Sequence, residues 1–363
     1  MNKIKILYTI PNFETAGSGK VVFDLVKGLD KEIFAPEICC FHSKGSFFKE
    51  LEQLNVPIHI YNFTTHLKPY YNLFYRVIKI CRFFKSHNFD IIHSWHWSSD
   101  ITEPLAAKIA GIKWIYTKKS MSWGNPKLWN LRSKLSTKIL VLNNDMISRY
   151  FEKIKSKTKL IYLGVDIDYY KPQKKTYITP LGHQFNKEDF IIVTIANLVP
   201  IKGIEYLIRS VNKLNDPQIK LLIVGNHQNE YGLKLIKNNS NKNIVFIDKQ
   251  LDVRPYHAVA DLFVIPTKIS WEGFPVAPVE AMSSQRIVIG SNVEGVREVL
   301  TNFKDFMFPA KDVDEICEKI LWIKSLSKNE KEYYELKMRK EVVANFTLKK
   351  CVSLHEQFYL KLI

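Results

Sequence analysis

The chain has 363 residues, 46% of them hydrophobic and 25% charged, which suits two globular domains and argues against a disordered or fibrous protein. Five cysteines, odd in number and without C-x-x-C spacing, exclude a disulfide framework or a cysteine zinc site as the organising feature, so reduced, buried thiols are expected. The formal net charge of +17 is uneven: no Asp or Glu occurs between Gln53 and Phe89 or between Pro104 and Asn144, so the first half presents positive surface suited to phosphates or anionic lipid.

The N-terminal run IKILYTI (4–10) is β-branched and strand-sized, and lacks the apolar core and cleavage site of a signal peptide. A glycine-rich segment follows in PNFETAGSGKVVFDLVKGL (11–29). It fails as a P-loop because Glu14 and Val21 stand where Gly and Ser/Thr are needed, and it fails as a dinucleotide fingerprint because Val22 follows Gly17-Ser18-Gly19. What remains is a loop opening the first helix. Further strands are read at 35–41, 90–95, 113–117 and 138–142, with helices between them. One of these helical stretches, NLFYRVIKICRFFK (72–85), carries Arg76, Lys79, Arg82 and Lys85 at three-residue spacing among apolar residues. It reads as a helix with one buried face and a basic face, the latter suited to an anionic membrane surface.

HSWHW (93–97) places His93 and His96 three apart at a strand end among tryptophans, which suits packing or an acceptor pocket better than zinc. TKKSMSW (117–123) ends the next strand with Lys118 and Lys119. Asp166-Ile167-Asp168 has the D-x-D form that metal-dependent sugar transferases use for manganese, but no further acid or His cluster supports an ion there, and the site is expected to hold no metal. The strand–helix alternation breaks at residues 168–184, read as a linker, so the domains are placed at 1–170 and 171–345, with a last helix at about 346–363 packing back on the first.

Second-half strands are read in FIIVTIAN, IKLLIVG, NIVFI, LFVIP and RIVIG. Fully apolar strands alternating with helices predict parallel sheets covered on both faces, with ligands at the carboxyl ends of the strands. ANLVPIKGIEYLI (196–208) sets Asn197 and Lys202-Gly203 between a strand and a helix, where one ammonium and free helix N–H groups read phosphate. EGFPVAPVE (272–280) carries the strongest signal. Gly273 permits close approach of a ligand, Pro275 and Pro278 suit a helix opening, and the N–H groups beyond favour an anion. Glu280 is suited to adjacent ribose hydroxyls and Glu272 to those of a sugar, while Trp271 and Phe274 argue against a merely solvated turn.

On these residues the chain resembles the family 4 retaining glycosyltransferases, whose second domain carries the same E-x7-E element between a strand and a helix. ADLFVIPT (260–267) before it and IVIGSNVEGVREVL (287–300) after it extend the likeness. The resemblance implies an α/β fold of the GT-B type: two Rossmann-like domains with parallel sheets facing across an inter-domain cleft. It implies a donor held by the second domain, with Lys202, Glu272, Gly273, Phe274, Pro275, Val276 and Glu280 around it and the base near KQLDV (249–253). It carries Gly17 and Ser18 over to the donor phosphate or sugar. It sets Lys119 near the anomeric carbon, so Glu272, Lys202 and Lys119 are the candidate catalytic residues. Asn197 departs from the family's usual Arg, removing one cation from the leaving-group clamp.

The implied reaction moves a hexose-type sugar from a nucleoside-diphosphate sugar, a UDP-sugar foremost, to a lipid-linked or saccharide acceptor. Anomeric configuration is retained and no metal or other cofactor is needed. Polysaccharide synthesis in the cytoplasm, at the inner membrane face, is the expected setting. A nucleotide-sugar epimerase and an inactive sugar-nucleotide-binding homologue remain alternatives. Nucleic acid is not an expected partner, since no helix-turn-helix, finger or aromatic RNA platform accompanies the charge.

Overall fold

The computed structural model describes residues 3–14, 16–45, 47–269 and 271–363. The chain forms two compact units: the first runs through Tyr162 and regains Lys349–Ile363, and the second is Leu163–Leu348. In the first, the strands β1 (Ile4–Thr9), β2 (Phe34–Cys40), β3 (Ile58–Ile60), β4 (Ile91–Ser94), β5 (Lys113–Lys118), β6 (Lys138–Val141) and β7 (Thr158–Leu160) form a sheet. Its order is β3-β2-β1-β4-β5-β6-β7 and all its neighbours are parallel. The second unit holds β8 (Phe190–Ile195), β9 (Ile219–Val224), β10 (Ile244–Ile247), β11 (Leu262–Ile265), β12 (Ile287–Ser291) and β13 (Met307–Phe308). These are ordered β10-β9-β8-β11-β12-β13, again parallel throughout.

Both sheets are Rossmann-like, and each reverses its strand order once, between β1 and β4 and between β8 and β11. Such switch points leave a crevice at the strand carboxyl ends. The strands are β-branched because both faces are covered: Ile191, Ile192, Val193, Val264, Val288 and Ile289 are fully buried. Each such side chain contributes about 1.5–3 kcal/mol by leaving water. The five cysteines are buried free thiols.

The units divide at Tyr162 and Leu163 rather than at 170, and the segment read as a linker is packed on the second unit. Val165 bridges Thr347, Ser283 donates a 2.9 Å hydrogen bond to the Tyr170 carbonyl, and Arg286 donates to that of Gln173 at 3.0 Å. Polar residues without helical or strand period conceal this anchoring, because buried side chains from distant elements satisfy the backbone carbonyls. The last helix, Leu348–Leu360, buries Cys351, Val352, His355, Phe358 and Tyr359 within the first unit. A Cβ at Gly28 would lie 2.7 Å from Val352, so the first helix meets the last through the missing side chain.

Candidate functional site

In the second unit the switch point is built from the segments that follow β8 and β11. After β8, exposed Asn197 leads into a short turn, Pro200–Lys202, and then Gly203 opens the helix Ile204–Leu214. Gly203 has φ +66°, and a Cβ there would lie 2.1 Å from the Pro266 carbonyl oxygen that follows β11. Only glycine meets both conditions. The Ile201 carbonyl also accepts the Lys268 N–H at 3.0 Å, tying the two segments together.

That tie places Lys202 against Glu272. Their side chains, 23% and 13% exposed, form a direct ion pair, and Thr267 points its hydroxyl at the same carboxylate oxygen from 3.5 Å. Sequence reasoning assigned these two groups separate tasks, the ammonium to phosphate and the carboxylate to sugar hydroxyls. The structure joins them into one polar centre. Gly295, with φ +78°, supports it from beneath: a Cβ there would be 2.5 Å from the Glu272 carbonyl oxygen and 3.0 Å from its Cβ. Beside it, Lys268 pairs with Glu205 at 2.8 Å.

Beyond Glu272, Gly273 and Phe274 are buried, Phe274 packing on Phe346 at 5.2 Å between ring centroids. Pro275 caps the helix Val276–Ser283 in extended geometry, without a side-chain hydrogen bond to the first turn. The backbone N–H groups of Val276 and Ala277 thus open the helix, where an anion is favoured. Glu280 lies half-buried one turn further on. Its charge, with burial foremost and the Asp252 carboxylate, pushes the Tyr169 hydroxyl above its ordinary pKa. Arg254 sits over the Tyr169 ring at 3.8 Å and holds Asp252 through 2.6 and 2.8 Å hydrogen bonds. The 249–253 loop and Glu280 therefore share one neighbourhood with Tyr169 and Arg254, which sequence reasoning missed. Tyr169 lay in the presumed linker, and Arg254 lay just beyond the loop considered.

The first unit carries the other candidates. Gly17 and Ser18 belong to the first turn of the helix Ala16–Gly28 rather than to a free loop. A Cβ at Gly17 would meet nothing within 4 Å, whereas one at Gly19 would touch the Phe13 ring at 3.0 Å. Lys118 and Lys119, at the end of β5, line a cavity of about 270 Å³ with His96, Trp97, Ser98, Thr117 and Trp129. Lys118 is 2% exposed, donates to the Ser120 and Ser122 carbonyls, and lies 4.7 Å from the Trp129 ring centroid. Half-buried Lys119 donates to the Trp95 carbonyl at 2.6 Å and lies 4.4 Å from the centroid of half-exposed Trp97. Burial pushes the Lys118 ammonium down to about 7. Burial, then the Arg132 and Lys118 charges, brings Lys119 to about 7 as well.

His93 and His96 have separate roles. His93 is fully buried and bonds Tyr359 and Thr117, each at 2.7 Å. His96, pushed down to about 3 mainly by burial and then by Arg132 and Lys119, lies near Asp100 and Glu103 in a grouping spaced to hold a metal ion. Fully buried Arg132 stands beside both carboxylates, 3.4 Å from that of Glu103 and 3.9 Å from that of Asp100, and donates to the Asp100 backbone carbonyl at 2.5 Å. Its guanidinium is the counter-charge of these acids. The D-x-D spacing is a turn: Asp166 accepts the Asp168 and Tyr169 N–H groups, both at 3.0 Å.

Residues 180–340 match the family model described as "Glycosyl transferases group 1", and residues 15–169 match "Glycosyltransferase Family 4". The capsular polysaccharide biosynthesis glycosyltransferase CapH of Staphylococcus aureus is 26% identical over 95% of this chain and 100% of its own length. An Escherichia coli UDP-Gal:alpha-D-GlcNAc-diphosphoundecaprenol alpha-1,3-galactosyltransferase is 21% identical over 79% of each chain. Among solved structures, Anabaena Alr3699/HepE in complex with UDP and glucose superposes with a TM-score of 0.80 at 18% identity, covering 98% of this chain and 99% of that one. This likeness is one of GT-B fold.

Proposed function

Because this chain belongs to the family 4 glycosyltransferases, we propose that it moves a hexose-type sugar from a UDP-sugar to a lipid-linked or saccharide acceptor, with retention of anomeric configuration, in cell-surface polysaccharide synthesis. The observation that carries the proposal is the Lys202–Glu272 pair beside the uncapped start of the helix Val276–Ser283. One ammonium and two backbone N–H groups suit a diphosphate, and a carboxylate in hydrogen-bond range of the same point suits sugar hydroxyls. The choice of UDP and of a lipid-linked acceptor is supported by what the E. coli relative's name states and by the nucleotide in the HepE structure.

In this reading the donor diphosphate lies over Val276 and Ala277, with Lys202 on its charge and Glu272 on the sugar. Glu280 takes the ribose, and the base lies near the 249–253 loop beside Tyr169 and Arg254. Gly17 and Ser18, at a helix opening that leaves room for a ligand, approach the donor phosphate or sugar. Asn197 offers an amide in place of a cation. The bond from C1 to the phosphate oxygen breaks while the acceptor oxygen bonds C1 on the same face, and the acceptor proton passes to the departing phosphate. Lys202 and the helix N–H groups stabilise the charge that develops there, so positioning and leaving-group electrostatics supply the rate. A thermal-shift screen of UDP-, GDP- and ADP-sugars, followed by product analysis with and without acceptor, tests this. A melting shift confined to UDP-sugars with acceptor-dependent transfer is the expected result. Epimerised donor, or binding without turnover, would replace the proposal.

The transfer is proposed to run without a metal ion, because Arg132 already supplies the counter-charge to Asp100 and Glu103. We expect equal initial rates before chelation with EDTA, after it, and after manganese is restored. A rate that collapses and then recovers with manganese would reject this part.

Lys119 is proposed to hold a negative group of the acceptor or the departing phosphate. With its pKa near 7 beside Lys118, Arg132 and His96, its charge is present at lower pH and lost as pH rises through 7. Acceptor kcat/KM is therefore expected to fall by about tenfold per pH unit above that point, and Lys119→Met should flatten this limb. A profile between mildly acid and alkaline pH checks the sign. The stability linkage runs the other way: both lysines are pushed down, so the unfolded chain binds more protons above pH 7 and stability rises with pH there.

A further inference from the structure

One feature of the described surface that the proposed function does not use is aromatic. Tyr70, Tyr71, Phe74 and Tyr75 are 67%, 88%, 71% and 68% exposed, four rings within six residues of the first unit. Scattered exposed apolar residues are ordinary, whereas a contiguous group of this size marks an interaction surface. These rings sit where the turn Tyr70–Asn72 enters the helix Leu73–Ser86. Phe74 and Tyr75 stand in the first turn of the helix, and Tyr70 and Tyr71 precede it in the short turn, ahead of the non-helical Asn72. Tyr75 lies opposite the helix's buried residues, Val77, Ile80, Cys81 and Phe84, whereas Phe74, three residues before Val77 and seven before Cys81, begins the buried stripe and is nonetheless 71% exposed.

The face of Tyr75 continues with exposed Lys79 and Arg82, four and seven residues on, and Lys85 is exposed at its edge. From Gln53 to Phe89 there is no carboxylate in the sequence to offset them. Arg76, the fourth member of the basic series read from the sequence, is not part of this field. Its guanidinium turns back to the preceding loop, donating to the His66 and Pro69 carbonyls at 2.6 Å and to the Thr65 hydroxyl at 3.0 Å. It fixes the turn that presents the rings. The result is a braced corner with aromatic side chains at one end and exposed positive charge behind them.

We propose that the corner Lys68–Tyr75, with the basic face behind it, docks the protein on an anionic lipid surface. Tyr and Phe rings favour the zone between headgroups and acyl chains, and the cations follow the negative surface potential. Charge complementarity selects this occupant over a second copy of the chain, whose matching corner would bring like charges together. No helix of the described residues is long and apolar enough to cross a membrane, so attachment here is from one side. The proposal deepens the reading of a lipid-linked acceptor, and rests on it only for why the protein should visit a membrane.

The test is co-sedimentation with vesicles of equal parts phosphatidylglycerol and phosphatidylcholine, against vesicles of phosphatidylcholine alone, at low and high salt. The full chain should pellet with the anionic vesicles and be largely released by salt. The triple variant Tyr71→Ser, Phe74→Ser, Tyr75→Ser should lose about tenfold in partitioning. Lys79→Gln, Arg82→Gln, Lys85→Gln should abolish the preference for anionic vesicles. Both variants should keep the parent melting temperature and the parent rate on a water-soluble saccharide acceptor. Parent protein that stays in the supernatant, or an aromatic variant that pellets like the parent, would overturn the proposal. So would a parent dimer that the aromatic variant dissociates while neither binds vesicles. Vesicle binding by a protein that never turns over a UDP-sugar would sink the functional reading and leave the docking surface standing, and soluble-acceptor transfer without vesicle binding would do the reverse.

Discussion

Lys202→Ala is expected to lower kcat for sugar transfer by about two to three orders of magnitude, the loss typical when one preorganised stabiliser of a developing anion is removed. Glu272→Ala should cost about two orders, through a misplaced sugar. Because the two side chains form one ion pair, the double variant should be little worse than the poorer single one. Additive losses would show that the groups act separately. The fold should survive: the pair is neither surface-exposed nor dry, so each single change is expected to destabilise by about 1–2 kcal/mol, between the figures for exposed and buried pairs. A fall of a few degrees in melting temperature would register that. Steady-state kinetics with circular dichroism melting of the same samples separates the two effects. Undiminished turnover in either single variant removes that residue from the mechanism.

Gly295→Ala is the second large effect, and it touches no ligand in the proposed scheme. The residue holds φ +78°, and the new methyl would lie 2.5 Å from the Glu272 carbonyl oxygen. The positive φ is strained for an alanine whatever the space, and the contact must be relieved by moving Glu272. Transfer should fall by about a hundredfold, since displacement of a positioning group by about 1 Å has that consequence. The contrast is Gly17→Ala, where the added methyl meets open space, so any loss of activity there would reflect a ligand's approach. A Gly295→Ala enzyme with parent kinetics would mean that Glu272 does not depend on this support.

The aromatic corner shows why a pattern at sequence level misleads in part. Arg76, Lys79, Arg82 and Lys85 are indistinguishable by spacing, yet Arg76 caps carbonyls while the other three face outward. The neighbouring aromatics read equally well as core, because apolar character does not state which face is covered. The grouping of His96, Asp100 and Glu103 was hidden for a related reason. Its counter-ion, Arg132, lies in another helix, and sequence distance carries no sign of the contact.

The sequence alone determined the α/β class, since buried parallel strands demand continuous β-branched runs and their covering helices demand a 3.6-residue period. It also named Lys202, Glu272 and Glu280, because an ammonium before a helix and paired acids around a Gly-Phe-Pro turn are local patterns. Tertiary structure decided what those groups meet. Lys202 and Glu272 are brought together because β8 and β11 are sheet neighbours, with Leu262 beside Ile192, an adjacency created by the reversal of strand order. It likewise drew residues 163–189 onto the second unit and turned Arg76 inward. Periodicity records whether a residue is buried, but the identity of its partner depends on long-range packing that no local spacing contains.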